Sequence, residues 1–89
     1  MASDQRAAAL DSLRALRERL GESSPDPAAA EECDQLIRAV EAFHMEGVRF
    51  RMYGLRRRLT ASDSPTFDDE LQLLDAAGDA LRAAGFGIR

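Results

Sequence analysis

The chain has 89 residues and a formal net charge of −4, and all 12 of its basic residues are arginine. This length predicts one domain over residues 1–89, with a core too small to enclose a deep, dry substrate pocket as well, which disfavours an enzyme. An acidic total disfavours nonspecific binding of nucleic acid. The N-terminal segment has charges throughout, so neither a signal peptide nor a membrane span is expected, and the prediction is a cytoplasmic protein. Arginine and alanine in place of lysine and asparagine are typical of GC-rich coding and indicate a bacterial source.

The first predicted helix covers residues 4–20. Its apolar residues form one narrow stripe at helical spacing, made of Leu10, Leu13, Leu16 and Leu20. Gly21 is a natural stop, and residues 21–26 are the clearest linker in the chain. This helix is therefore amphipathic and is expected to pack on one neighbouring face.

The second predicted helix covers residues 27–59, because Pro27 suits the first helical position and no proline follows until Pro65. Its apolar residues form two stripes on opposite sides of the helix. The first stripe consists of Leu36, Val40, Phe43, Gly47, Phe50 and Gly54; the second consists of Met45, Val48, Met52, Leu55 and Leu59. Two stripes indicate a helix that is covered from both sides, by its own chain and by a second copy.

The third predicted helix covers residues 66–84, after a loop at 60–65. Thr66 and Asp69 have the spacing of a capping box, and Gly85 is a stop signal. The second helix would overhang the other two by about 20 Å. We therefore predict an all-α, antiparallel three-helix bundle with a long central helix, assembled as a homodimer. The alternative is a compact four-helix bundle in which the long helix breaks near Gly47.

Self-association is predicted along the central helix. Gly47 and Gly54 are expected to permit close approach of a neighbouring backbone or ring, so their replacement by leucine should weaken assembly. The predicted contact residues are Val40, Phe43, Gly47, Val48, Phe50, Met52, Gly54, Leu55 and Leu59.

Five arginines make the middle of the chain basic between two acidic ends: Arg49, Arg51, Arg56, Arg57 and Arg58. The interpretation we favour is ion pairing with acids of the third helix, among them Asp68, Asp69, Glu70, Asp75 and Asp79. An acidic protein partner is a second possibility. A regulator that binds nucleic acid through these arginines is the third, and one short basic face is a weak signal for it.

Neither a metal site nor a catalytic arrangement is predicted, and no cofactor is expected. Cys33 is the sole cysteine and lies on the helical spacing that leads to Leu36, which is typical of a small buried residue. His44 is the sole histidine and has no second histidine or paired cysteine to complete a metal site. The paired acids that begin the second and third helices are explained by the helix dipole.

His44 is followed by Gly47 and then by Gly54 and Leu55. This spacing resembles that of histidine phosphotransfer domains, which are helical bundles with a mid-helix histidine, a glycine one turn later and a glycine–hydrophobic pair ten residues on. The resemblance implies phosphotransfer or receiver binding at His44. The chain departs from the pattern because Glu46 replaces the usual lysine and the first glycine comes one residue early. A carboxylate there would repel a phosphoryl group.

The sequence as a whole predicts a small non-enzymatic helical module for protein–protein interaction, regulatory or scaffolding in role. The alternatives are the phosphotransfer or receiver-binding domain and the nucleic-acid-binding regulator.

Overall fold

The computed structural model describes residues 2–23, 27–60 and 68–86. These residues form four helices, α1 (Ala2–Ser23), α2 (Pro27–Glu41), α3 (Met45–Thr60) and α4 (Asp68–Ala83). The all-α prediction is confirmed. The three-helix bundle is wrong, because the helix predicted over 27–59 is two helices joined at 42–44. The four-helix alternative fits the described residues. The predicted stop at Gly21 is wrong, because α1 continues to Ser23. Residues 24–26 of the predicted linker, residues 61–65 of the predicted loop and the Thr66 cap lie outside the described residues.

The helices form an up-and-down bundle in which each contacts two neighbours, in the spatial order α1, α2, α3, α4. Ion pairs show that α1 runs antiparallel to both of its neighbours. Toward α2, Arg14 Nη2 lies 3.1 Å from Glu41 Oε2 and Arg17 Nε lies 2.8 Å from Asp34 Oδ1, so the residue numbers run in opposite directions. Toward α4, Arg19 Nε near the end of α1 lies 3.2 Å from Glu70 Oε2 near the start of α4. The contact between α1 and α4 is the most extensive, and that between α3 and α4 is the sparsest. One side of the bundle is therefore loosely closed.

The core consists of one apolar stripe from each helix. The predicted stripe of α1 is buried, and so are the α2 half of the first stripe and four residues of the second stripe. The turn between α2 and α3 explains the two stripes, since each helix aims its own stripe at a common core. The fully buried side chains with the largest volumes are Leu13, Leu16, Leu20, Leu36, Leu55, Leu74, Leu81, Val40, Val48 and Cys33.

The α2 helix ends in a Schellman motif, in which two backbone amides close the last turn. The N–H of His44 donates to the carbonyl of Ala39 at 3.0 Å, and the N–H of Phe43 donates to that of Val40 at 3.2 Å. This motif places one residue in the left-handed region, usually a glycine. Here it is Phe43, with φ 57°. The break thus comes just before Gly47, at a bulky residue that carries no sequence signal for it.

The α4 helix also ends in a Schellman motif, and here a glycine occupies the left-handed position. Gly85 has φ 93°, and the N–H of Phe86 donates to the carbonyl of Leu81 at 2.9 Å. The buried ring of Phe86 stacks on that of Phe43, with centroids 6.1 Å apart and planes 10° from parallel. The guanidinium of Arg6 lies 4.4 Å from the centroid of the Phe43 ring. These contacts hold the α2–α3 turn against α1 and the end of α4.

Candidate partner-binding groove

A groove of about 790 Å³ runs along the loosely closed side of the bundle, between α3 and α4. Met52 and Gly78 form its floor. A Cβ atom at Gly78 would lie 3.2 Å from Met52 Cε, so the glycine lets the methionine side chain fill the space between the two helices. The walls of the groove are formed by Glu46, Arg49, Phe50, Tyr53 and Arg56 of α3 and by Asp75, Asp79 and Arg82 of α4.

Two aromatic side chains stand on the α3 wall of this groove. Phe50 is 72% exposed and Tyr53 is 65% exposed. They lie three residues apart on the helix, which places them on one face, away from the buried Val48, Leu55 and Leu59. Neighbouring aromatic residues that are largely exposed are typical of interaction surfaces, where their rings supply contact area at low entropic cost.

The groove carries charges of both signs, and one residue of each sign has no ion pair among the described residues. Arg56 pairs with Asp75 across the groove, and Arg82 pairs with Asp79 along α4. Arg49 and Glu46 both line the groove on α3, and neither has an ion pair with any described residue. The groove therefore offers an available guanidinium beside Phe50.

The remaining arginines of α3 have different surroundings. Arg58 Nε lies 3.4 Å from Glu32 Oε2 of α2. Arg51 lies 6.0 Å from the ring centroid of Phe50, and Arg57 lies 5.9 Å from that of Tyr53. The predicted basic face is thus divided, because Arg56 pairs toward α4 and Arg58 pairs toward α2.

The predicted partners of these arginines are only partly those found. Asp75 of α4 pairs with Arg56 as expected. Asp69 and Glu70 pair instead with Arg19 of α1. Glu70 is nearly fully buried, which the sequence pattern did not indicate.

The residues predicted for self-association separate into three groups. Within the single chain, the core already buries Val40, Val48, Met52, Leu55 and Leu59. Phe43 and Phe50 are exposed, and Gly47 and Gly54 are half-buried. The expected close approach at the two glycines is not found among the described residues: a Cβ at Gly54 would meet nothing within 4 Å, and one at Gly47 would lie 3.4 Å from His44 Cβ, an ordinary contact.

Cys33 lies in the core, where its Sγ donates to the carbonyl of Leu13 at 3.4 Å. Burial raises the pKa of the thiol from 9.0 to about 12; the charge of Asp34 adds to this rise, and Arg17 partly offsets it. The side chain therefore acts as a small apolar residue, in agreement with the prediction from its position.

His44 is exposed and lies in the α2–α3 turn, where its carbonyl accepts the first hydrogen bond of α3 from Val48 at 2.8 Å. It is not in the middle of a helix, as the resemblance to phosphotransfer domains required. Within the described residues, no group of three His, Cys, Asp or Glu side chains could hold a metal ion.

Sequence reasoning did not assign Tyr53, Gly78, Asp79 or Arg82 to a binding site. The spacing of Phe50 and Tyr53 could have indicated their shared exposed face, but only after the second stripe had been assigned to the core. The α4 residues join the groove through the antiparallel packing of α4 on α3, which local patterns do not reveal.

No family model, curated protein or solved structure matches this chain. In the part of the chain that the structure describes, none of the helices has the length and apolar character needed to cross a membrane.

Proposed function

We propose that this protein is a small non-enzymatic interaction module that binds an acidic, amphipathic helix of a partner protein in the groove between α3 and α4. The observation that carries the proposal is the exposed pair Phe50 and Tyr53 beside a groove in which Arg49 has no acidic partner among the described residues. A helix laid between two antiparallel helices can seat apolar residues at i, i+3 and i+7.

Charge supports an acidic partner over a second copy of α3. This helix carries five arginines and one acid, Glu46. Two copies packed symmetrically through α3 would bring like charges together, which is unfavourable at an interface. Carboxylates on a partner helix could instead pair with Arg49 and Arg57 at the edges of the aromatic contact. Such charges increase the rate of association and select the partner.

Photo-crosslinking at the groove tests this proposal. The full chain, with benzoylphenylalanine in place of Phe50, is irradiated in cells of the native host, and the attached segments are identified by mass spectrometry. The matched control carries the same residue in place of Ala15, which is exposed on α1. We expect an acidic segment of helical periodicity to be attached at position 50 and not at position 15. Identical products at both positions, or basic segments at position 50, would refute the proposal.

A synthetic peptide of the attached segment then gives a direct binding measurement. Tyr53 is the sole tyrosine and the chain has no tryptophan, so tyrosine emission reports the groove when the peptide lacks both residues. Arg49→Glu should weaken binding by about tenfold, the effect of losing roughly 1.4 kcal/mol. Arg38→Glu on α2, also exposed, is the control and should leave binding nearly unchanged.

Homodimerisation remains a prediction. Of the residues expected to form the dimer, Phe43 and Phe50 could contact a second copy while the bundle stays closed.

A further inference from the structure

We infer that two copies of this chain can exchange halves, so that α1 and α2 of one chain complete a four-helix bundle with α3 and α4 of the other. The hinge is the three-residue turn 42–44. This inference is independent of the groove, which each exchanged bundle would still contain. It identifies a second copy of the chain as a partner for the core surface of each half.

Each half has its main packing surface on the other half. The contacts between halves are those of α1 with α4 and of α2 with α3, which are the two most extensive helix pairs. Within the second half, α3 and α4 contact each other sparsely. Neither half can bury its stripe alone, and a second copy presents the same complementary surface.

The turn that folds the chain back is strained. Phe43 occupies the left-handed region at φ 57°, which is unfavourable for a bulky residue. No glycine or proline lies within 42–44, and the sequence pattern from 27 to 59 is that of one helix. Opening the turn lets Phe43 adopt helical angles, which relieves this strain. A short strained turn between two halves is the arrangement that permits exchange.

The opened chain would place its two core stripes on different sides of one long rod. Each end of the rod would then be covered by half of the second copy. Phe43 is 59% exposed and Met45 is 50% exposed in the closed chain. Both lie at or next to the hinge, where the two rods would cross and cover apolar surface. The stack of Phe43 on Phe86 opposes opening, so the dimer is expected at high protein concentration.

Hinge variants provide the first test. Phe43→Gly and Phe43→Ala both remove the ring and its contacts, but glycine accepts the left-handed region and alanine favours the helix. We expect the dimer dissociation constant of Phe43→Ala, measured by sedimentation, to be at least about tenfold lower than that of Phe43→Gly. Equal constants, or monomers alone for both variants at millimolar concentration, would overturn the inference.

Charge reversal distinguishes exchange from an ordinary dimer. Arg58 and Glu32 pair between halves, at 3.4 Å, whereas Arg17 and Asp34 pair within one half, at 2.8 Å. Arg58→Glu and Glu32→Arg chains, one labelled with heavy nitrogen, are unfolded, mixed and refolded together. In an exchanged heterodimer, position 32 of each chain lies beside position 58 of the other chain. Both of these position pairs then carry opposite charges, which happens in no other dimer of the mixture. Its share in native mass spectra should exceed the statistical half.

Arg17→Asp mixed with Asp34→Arg is the matched control, because exchange leaves this pair within one chain. Its heterodimer should stay at the statistical share. All four side chains are partly exposed, so the variants are expected to fold, and circular dichroism checks this. A statistical share for the Arg58 and Glu32 mixture would show that the halves do not exchange.

Discussion

The ring of Phe43 lies nearly parallel to the ring of Phe86, which joins the end of α2 to the end of α4. Both residues belong to Schellman motifs, and only the α4 motif has a glycine in its left-handed position. The contact therefore stabilises a backbone conformation that Phe43 would not adopt by itself.

A double-mutant cycle measures this contact. We expect Phe86→Ala to destabilise the protein by about 3 kcal/mol or more, because the ring is buried. The double variant with Phe43→Ala should be more stable than the sum of the single changes predicts, by about 0.5–1.5 kcal/mol. Urea unfolding of the four proteins gives the coupling. Strict additivity would show that the stack contributes nothing.

Gly54→Ala is expected to stabilise the protein. Gly54 lies within α3, and its added Cβ would meet nothing within 4 Å. Alanine is more favourable than glycine in a helix interior by about 1 kcal/mol. Thermal unfolding should therefore show a higher midpoint. The sequence predicted instead that Gly54 permits a close contact between two copies. If it does, Gly54→Ala should increase the dissociation constant of a dimer.

The stability of the protein should decrease in alkali because of Cys33. Below pH 9.0 the thiol is protonated in both states; between 9.0 and about 12 the unfolded chain releases this proton and the folded chain retains it. The free energy of unfolding should then fall with pH, by up to about 1.4 kcal/mol for each pH unit. Urea unfolding at several pH values measures this slope. Cys33→Ala is the control, and its slope should be shallower; equal slopes would contradict a buried neutral thiol.

The groove aromatics should be dispensable for folding. Phe50 and Tyr53 are largely exposed, so Phe50→Ser and Tyr53→Ser should each change the free energy of unfolding by about 0.5 kcal/mol or less. Leu55→Ser, at a fully buried position on the same helix, should destabilise by several times more. Large losses at Phe50 or Tyr53 would place these rings in the folding core and remove them as a binding surface.

The helical periodicity of the sequence predicted most of the core. Leu13, Leu16, Leu36 and Leu55 are fully buried as their stripes indicated. Periodicity succeeds here because each helix has to bury one apolar face, whatever its neighbours are.

The break at Phe43 could not be predicted in the same way. Local rules look for glycine or proline at a helix end, and Phe43 has neither as a neighbour. Its left-handed angle is compensated by Phe86 and Arg6, which lie far away in sequence. The opposite placement of two stripes over residues 27–59 predicted either a helix covered by a second copy or a break near Gly47, and a break is found at 42–44. The groove could not be predicted either, because its α4 wall depends on the tertiary packing of α4 on α3.

The cap at Phe43 also has a consequence for the order of folding. One stabilising partner, Arg6, lies in α1, and the other, Phe86, follows the end of α4, so the turn gains their support only after distant parts of the chain have met. Loop closure over such separations is slow relative to helix growth. An isolated peptide of residues 27–60 should therefore form one uninterrupted helix where it is helical at all, and the bend should appear late, on the native side of the folding barrier.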